Sequence, residues 1–139
     1  MKKIKKLLVV ILAFAMVLAL TACRITIDGE NSSKQQKTTN GSVGLSVSTQ
    51  NNPFFVSLAE GAKKAASEQG VDLTVVDASD DVTKQVSDIE DLISKNISVL
   101  IVNPVDSDAV SGAVQDALDK GIKVISVDRV VNGVTVDCE

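Results

Sequence analysis

The chain has 139 residues, which is enough for one domain, and carries a formal net charge of −4 with no histidine. An acidic chain without a basic patch argues against nucleic acid as a partner. The absence of histidine removes the most common general base and metal ligand, so a catalytic pair of a nucleophile and a histidine is excluded.

The first 22 residues have the pattern of a secretory leader. Four lysines within the first six residues precede an apolar run from Leu7 to Leu20. That run is short for a membrane span, which needs about 20 apolar residues. It ends in Leu20-Thr21-Ala22-Cys23, which resembles the lipobox of bacterial lipoproteins. We therefore predict a lipoprotein signal peptide over residues 1–22 and a lipidated Cys23 at the outer face of the cell membrane; the alternative is an ordinary leader with a chance cysteine.

Residues 23–41 have the composition of a tether that follows the lipidated cysteine. From Asn31 to Gly41 every residue is polar or glycine, so this stretch has no apolar side chain to bury. The 14 basic residues include the four leader lysines, which leaves 10 basic and 18 acidic residues in the rest of the chain. A polar spacer of this kind suits an anchored domain that stands off the membrane.

From residue 42 onward, strand patterns alternate with helical patterns. Strands are predicted over 43–47, 71–76, 98–102 and 122–127, with a short fifth strand over 134–136. Helices are predicted from Pro53 to Gln69, from a cap at Asp80 or Asp81 to Asn96, and from a cap at Asp106 or Ser107 to Gly121. Strands that alternate with helices of this length form βαβ units, so we expect an α/β fold with a parallel sheet and helices on both faces.

The residues that leave each strand are the candidate site, because ligands of open parallel sheets bind beyond the carboxyl ends of the strands. Asn51, Asn52, Phe54 and Phe55 follow the first predicted strand. Aromatic rings beside amide groups suit a sugar, which has one face of C–H groups and several hydroxyls. The alternative is that one ring packs under the helix and the asparagines are only turn and cap residues.

A charged pair follows the fourth predicted strand. Asp128 can accept hydrogen bonds from hydroxyls, and Arg129 offers a rigid fork of donors. A polyol presents adjacent donors and acceptors, so such a pair can bind two neighbouring hydroxyls. The alternative is a local ion pair within a loop.

Three motifs together resemble the type 1 periplasmic sugar-binding family of bacterial ABC transporters, and within it the members that bind D-ribose. They are Asn51-Asn52-Pro53-Phe54-Phe55, Asn103-Pro104 followed by Asp106-Ser107-Asp108-Ala109-Val110, and Val127-Asp128-Arg129. The resemblance covers about residues 42–136. It implies a component of ABC import, not an enzyme and without a cofactor or metal, that delivers D-ribose or a related monosaccharide to a permease.

The resemblance also implies a role for each matching residue. Asn52 would hydrogen-bond the sugar, and Phe54 and Phe55 would pack against its ring. Asp128 and Arg129 would bind its hydroxyls. The residues expected to support the site without touching the sugar are Asn51, Asn103 and Asp106.

Family members bind a pyranose between two hinged lobes, whereas residues 42–139 match only part of the N-terminal lobe. After Val136 the sequence Asp137-Cys138-Glu139 departs from the family pattern, which predicts a truncated or frameshifted reading frame, or a fragment. We expect such a chain to bind ribose weakly or not at all unless a partner chain supplies the second lobe. The alternative is a remnant of a disrupted gene without present function. Cys138 is interpreted as incidental.

Two other classes of protein fit the pattern less well. A sugar-responsive transcriptional regulator with this lobe would need a DNA-binding headpiece where the leader and tether lie. A nucleotide-dependent oxidoreductase would carry a glycine-rich phosphate loop in its first strand-to-helix turn, where the sequence from Ser48 to Pro53 is STQNNP.

Overall fold

The computed structural model describes residues 41–139, so the predicted signal peptide, Cys23 and the tether up to residue 40 lie outside the described residues. The strands are β1 (Ser42–Val47), β2 (Asp72–Asp77), β3 (Val99–Val102) and β4 (Lys123–Ser126), and the helices are α1 (Pro53–Gln69), α2 (Val82–Ser94) and α3 (Ser111–Asp119). All strand pairs are parallel, and the order across the sheet is β2-β1-β3-β4. The predicted α/β fold with a parallel sheet is confirmed.

The predicted bounds of α1 are confirmed, because both ends of the helix carry capping groups. The side-chain oxygen of Asn52 accepts from Phe54 N at 2.9 Å, and Pro53 occupies the first helical position. Gly70, at φ 66°, ends the helix in the left-handed conformation that glycine adopts without strain.

The start of α2 is also set by a cap. Of the two predicted candidates the cap is Asp81, whose carboxylate accepts from Lys84 N at 3.0 Å. The helix ends at Ser94, and Asn96 just beyond it has a left-handed φ of 57°. That residue turns the chain from the helix toward β3.

The predicted start of α3 is wrong. The helix begins at Ser111, and Val110 at its N-cap makes no side-chain capping bond. The carboxylate of Asp106 accepts from the N–H groups of Asp108 and Ala109, at 2.9 and 2.8 Å. These bonds close a separate turn, since a local side chain satisfies the backbone donors before the helix begins.

The last residues of the chain run beside β4. Residues 134–136 form no strand, contrary to the prediction, and pairing occurs further on, at a bridge between Ile125 and Cys138. The carboxylate of Asp137 accepts from Lys123 Nζ at 2.8 Å and from Val124 N at 2.9 Å. The hydrogen bond from the ammonium lowers the pKa of Asp137 and raises the pKa of Lys123.

Helices lie on both faces of the sheet, as predicted. On one face, Ala59 of α1 packs in the core with Leu45 and Val47 of β1. On the other face, α2 and α3 bury a larger apolar cluster that includes Ile89 and Val114. In the part of the chain from 41 to 139, no helix has the length and apolar character needed to cross a membrane.

The face that α1 covers is only partly buried. Val43 of β1 and Ile101 of β3 line an apolar groove of about 260 Å³ with residues of α1 that include Ala62 and Ala65. Ile125, the neighbour of Ile101 in β4, is also only half-buried. The sheet therefore presents apolar side chains beyond the edge of α1.

Substitutions at two glycines test how closely α2 packs on β1. A Cβ at Gly44 in β1 would lie 2.9 Å from a methyl carbon of Leu92 and 3.0 Å from one of Ile97, both buried. Overpacking by Gly44→Ala should therefore lower the free energy of unfolding by about 1–3 kcal/mol. Gly61→Ala within α1 is the matched control, because its Cβ meets nothing within 4 Å.

In the control, alanine suits the helix interior better than glycine and should raise the free energy of unfolding by about 0.5–1 kcal/mol. Urea denaturation followed by circular dichroism measures both variants. Stabilisation by both substitutions would contradict the close packing of α2 on β1.

Candidate functional site

The loops that leave β1, β3 and β4 meet at one edge of the sheet. Parallel hydrogen bonding continues past the strand ends, where Asn103 N donates to Ser46 O at 2.8 Å and Val127 N donates to Val102 O at 2.9 Å. The strand order reverses between β1 and β3, which is where ligands of open parallel sheets bind. The three sequence motifs therefore converge at the expected place.

The first turn of α1, which follows the loop after β1, presents one of its two phenylalanine rings. Phe54 is 56% exposed, whereas Phe55 is 6% exposed and belongs to the core. The rings meet edge to face, with centroids 5.2 Å apart and planes at 76°. Phe55 therefore packs in the core and contacts the exposed ring of Phe54. The alternative interpretation gave this packing role to one of the two rings.

Asn52 contributes a free amide group beside that ring. Its side-chain oxygen is used to cap α1, as described above, and within residues 41–139 its amide N–H groups make no hydrogen bond. Because α1 is held in place by the core, the position of this donor group is fixed by the helix. An exposed donor beside an exposed ring can bind a hydroxylated ligand.

Asp128 sits at the centre of a strained turn. Arg129 N donates to Val127 O at 2.8 Å, which closes a three-residue γ-turn, and Asp128 has a φ of 67°. Turns of this kind with a positive central φ are rare. Strained backbone that is held by its surroundings occurs preferentially at functional sites. The turn places the exposed carboxylate of Asp128 in the loop after β4.

Arg129 reaches from the loop after β4 to the loop after β3. Its Nη1 donates to Pro104 O at 3.2 Å and to Val105 O at 2.9 Å. Within the described residues it forms no salt bridge with Asp128, so the predicted alternative of a local ion pair is wrong. The two side chains therefore offer separate polar groups.

Asn103 connects the three loops. It is fully buried, and its side-chain oxygen accepts from Ser48 N at 3.2 Å. Its side-chain nitrogen donates to Val127 O at 3.1 Å and approaches the Asp128 carboxylate at 3.4 Å. The carboxamide thus joins the loops after β1, β3 and β4, and its supporting role for a sugar stays a prediction.

Two other predicted supporting residues lie further from this network. Asn51 is exposed, and its backbone N–H donates to Thr49 Oγ1 at 3.2 Å. Asp106 is used in the turn before α3, and the structure does not bring its carboxylate to Asp128 or Arg129. No set of His, Cys, Asp or Glu side chains in the described range is arranged to hold a metal ion.

Sequence reasoning missed Gln85, a fully buried residue of α2. Its side chain donates to Ser46 Oγ and Asn103 O, at 3.1 and 2.9 Å, and accepts from Val105 N at 2.7 Å. Its position was visible in the sequence, because Gln85 lies four residues before Ile89 and so on the same helix face. The pattern of apolar residues predicted for that face did not include this amide.

Asp77, at the end of β2, joins the second loop to the first. One carboxylate oxygen accepts from Gln50 N at 3.2 Å and from Ser79 N at 2.8 Å. The loop that leads to Asn52 and α1 is therefore held from β2 as well as from the loop after β3.

Comparison with known proteins gives one family. The family model described as periplasmic binding protein domain matches residues 43–138. The match reaches Cys138, so the expectation that the family pattern ends at Val136 is wrong. Asp137 and Cys138 are the residues that pair with β4.

Curated relatives are named for ribose import. The chain is 44% identical over 129 residues to the ribose import binding protein of Bacillus subtilis (strain 168), which covers 90% of this chain and 41% of that protein. It is 45% identical over 87 residues to the same-named protein of Escherichia coli (strain K12), which covers 63% of this chain and 29% of that protein. The chain therefore spans less than half of the length of these relatives.

Solved structures agree on the architecture. The Caulobacter myo-inositol binding protein, bound to myo-inositol, matches with a TM-score of 0.68 and 34% identity over 73% of this chain and 35% of its own. An ABC transporter solute binding protein from Mycobacterium smegmatis, with bound glycerol, matches with a TM-score of 0.64 and 44% identity over 67% of this chain and 32% of its own.

The strain at Asp128 can be measured with two variants that both remove the carboxylate. Asp128→Gly should have a free energy of unfolding about 1 kcal/mol above that of Asp128→Ala, because only the alanine carries a Cβ at positive φ. Urea denaturation gives the difference. Gly61→Ala in α1 provides the opposite case, since alanine is favoured there. An alanine variant as stable as the glycine variant would show that the turn is not strained.

Proposed function

Because the chain belongs to the family of periplasmic binding protein domains, we propose that it binds a monosaccharide, D-ribose or a close relative, outside the cell membrane for delivery to an ABC permease. The observation that carries the proposal is the arrangement at the edge of the sheet. The exposed ring of Phe54, in the first turn of α1, stands beside the amide of Asn52 at the cap of that helix. Asp128 and Arg129 stand in the loop after β4, which Asn103 ties to the loop after β1.

Each of these groups suits part of a sugar. Phe54 offers an apolar ring to a face of C–H groups, and Asn52 offers amide donors to a hydroxyl. The carboxylate of Asp128 accepts from hydroxyls. The Nη1 of Arg129 already binds two backbone carbonyls, so its Nε and Nη2 donors are the ones left to bind a ligand's oxygens.

The proposal for D-ribose over other polyols is supported by the curated relatives and by the motif residues. The two relatives described above carry ribose import in their names, at 44% and 45% identity. The solved neighbours were found with myo-inositol and with glycerol, which share the polyol chemistry.

The affinity of this chain for ribose depends on how much of the binding site its own residues form. Since the chain spans 41% of the Bacillus relative, we infer that residues of a second lobe complete the site in a longer or complemented protein. If about four hydrogen bonds come from that lobe, each worth ~1 kcal/mol, the affinity without them falls roughly a thousandfold.

Binding to the full 139-residue chain in detergent micelles tests the function. Saturation-transfer-difference NMR should show weak transfer to the ring protons of D-ribose and none to L-ribose. Asp128→Asn should weaken binding about tenfold, because it removes a charge-assisted hydrogen bond. Asp119→Asn, an exposed carboxylate on α3 bonded to Gln115, is the matched control and should bind as the unaltered chain does.

Equal transfer to both enantiomers, or an Asp128→Asn variant that binds normally, would contradict the proposed site. Micromolar binding by this chain would contradict the proposal that a second lobe supplies contacts.

A lipid anchor at Cys23 is the second part of the proposal. The leader ends in a cysteine at the end of its apolar run, and the match to the Bacillus relative covers 90% of this chain, so it includes most of residues 1–40. A diacylated cysteine holds a domain at the membrane, since two acyl chains suffice where one barely does.

The anchor is tested by labelling with radioactive palmitate in bacterial cells. The unaltered chain should take up the label and fractionate with the membrane, and Cys23→Ser should lose both properties. Cys138→Ser removes the only other cysteine and is the matched control. Label that survives Cys23→Ser would contradict the anchor.

A further inference from the structure

The buried face of α2 contains one amide among apolar side chains. Its buried residues are Gln85, Ile89, Leu92 and Ile93, and Gln85 has no exposed surface. A buried amide is unfavourable unless its donors and acceptors are paired. Packing alone therefore does not explain why an amide occupies this buried position.

The hydrogen bonds of Gln85 are directed at one short segment. Its Nε2 donates to Asn103 O at 2.9 Å, and its Oε1 accepts from Val105 N at 2.7 Å. The two bonds bracket Pro104, which is itself fully buried. The third bond, from Nε2 to Ser46 Oγ at 3.1 Å, ties the same amide to β1. The segment 103–105 is thus fixed at both ends relative to the central strand.

The opposite side of that segment holds the arginine of the candidate site. Val105 donates its N–H to Gln85 and accepts from Arg129 Nη1 at its carbonyl, at 2.9 Å. The Pro104 carbonyl accepts from the same nitrogen at 3.2 Å. Gln85 and Arg129 therefore bind opposite sides of one stretch of backbone, and the position of one sets the position of the other.

We propose that Gln85 is a positioning residue for the sugar site, which fixes segment 103–105 and through it the guanidinium of Arg129. This inference rests on the proposed function only for the statement that Arg129 binds sugar. An apolar side chain of equal size would fill the space, but would leave Val105 N–H and Asn103 O without their partner. The carboxamide is required for orientation and not for volume.

The test uses the ¹⁵N-labelled full chain in detergent micelles and the side-chain NMR signals of Arg129. In the unaltered chain the two carbonyl contacts should hinder rotation about the Nε–Cζ bond. In Gln85→Met, which matches the shape but makes none of the bonds, rotation should be at least roughly tenfold faster, because released groups sample more conformers.

A destabilised control separates positioning from general loss of stability. Val114→Ala on α3 removes methyl groups from the same apolar cluster and none of the hydrogen bonds to segment 103–105. It should lower the melting temperature while leaving the Arg129 rotation unchanged. Gln85→Glu keeps the acceptor for Val105 N but loses the donor to Asn103 O, so its Arg129 rotation rate should lie between those of the unaltered chain and Gln85→Met. Equal rotation rates in Gln85→Met and the unaltered chain, or faster rotation in Val114→Ala as well, would overturn the proposal.

If Gln85→Met does not fold, hydrogen exchange in the unaltered chain tests whether the Gln85 amide makes the bonds on which the proposal depends. The side-chain amide protons of Gln85 should exchange with water roughly a hundredfold more slowly than those of the exposed Gln115, because they are buried and bonded. Equal exchange would overturn the inference. The readout needs no sugar, so a failed ribose titration would count against the proposed function alone.

Discussion

The candidate site depends on two buried carboxamides, because several backbone groups just beyond the strand ends are paired by side chains and not by the sheet. Asn103 supplies a side-chain acceptor for Ser48 N and a donor for Val127 O. Gln85 does the same for the segment that follows Asn103. Three loops that would otherwise diverge are thereby held as one polar surface at the edge of the sheet.

The fold could be predicted because its local signals agree. Pro53 after a capping Asn52, and Gly70 at the other end, fixed α1 to the residue. The start of α3 could not be predicted, because Asp106 is an equally good partner for a turn and takes the donors that a helix cap would use. Periodicity alone does not distinguish the two outcomes.

The sequence places the candidate residues at the ends of strands, but it does not predict how their side chains are arranged. The sequence motifs include Asp128 and Arg129. No sequence pattern indicates that Asp128 occupies a γ-turn, or that Arg129 binds two carbonyls of another loop. The burial of Gln85 follows from its place on the apolar face of α2, but its partners on β1 and in segment 103–105 do not follow from the sequence. Contacts between loops distant in sequence are what a single sequence leaves out.

The position of β1 in the sheet has a consequence for how the protein forms. β1 is the first strand in the described chain, but it lies between β2 and β3, and Val43 pairs with Val99. Its second edge must therefore wait until 56 further residues have been made. Parallel pairs over such separations close slowly, since chain entropy is lost before contacts form. The three loops of the candidate site can thus meet only after β3 and β4 have joined the central strand.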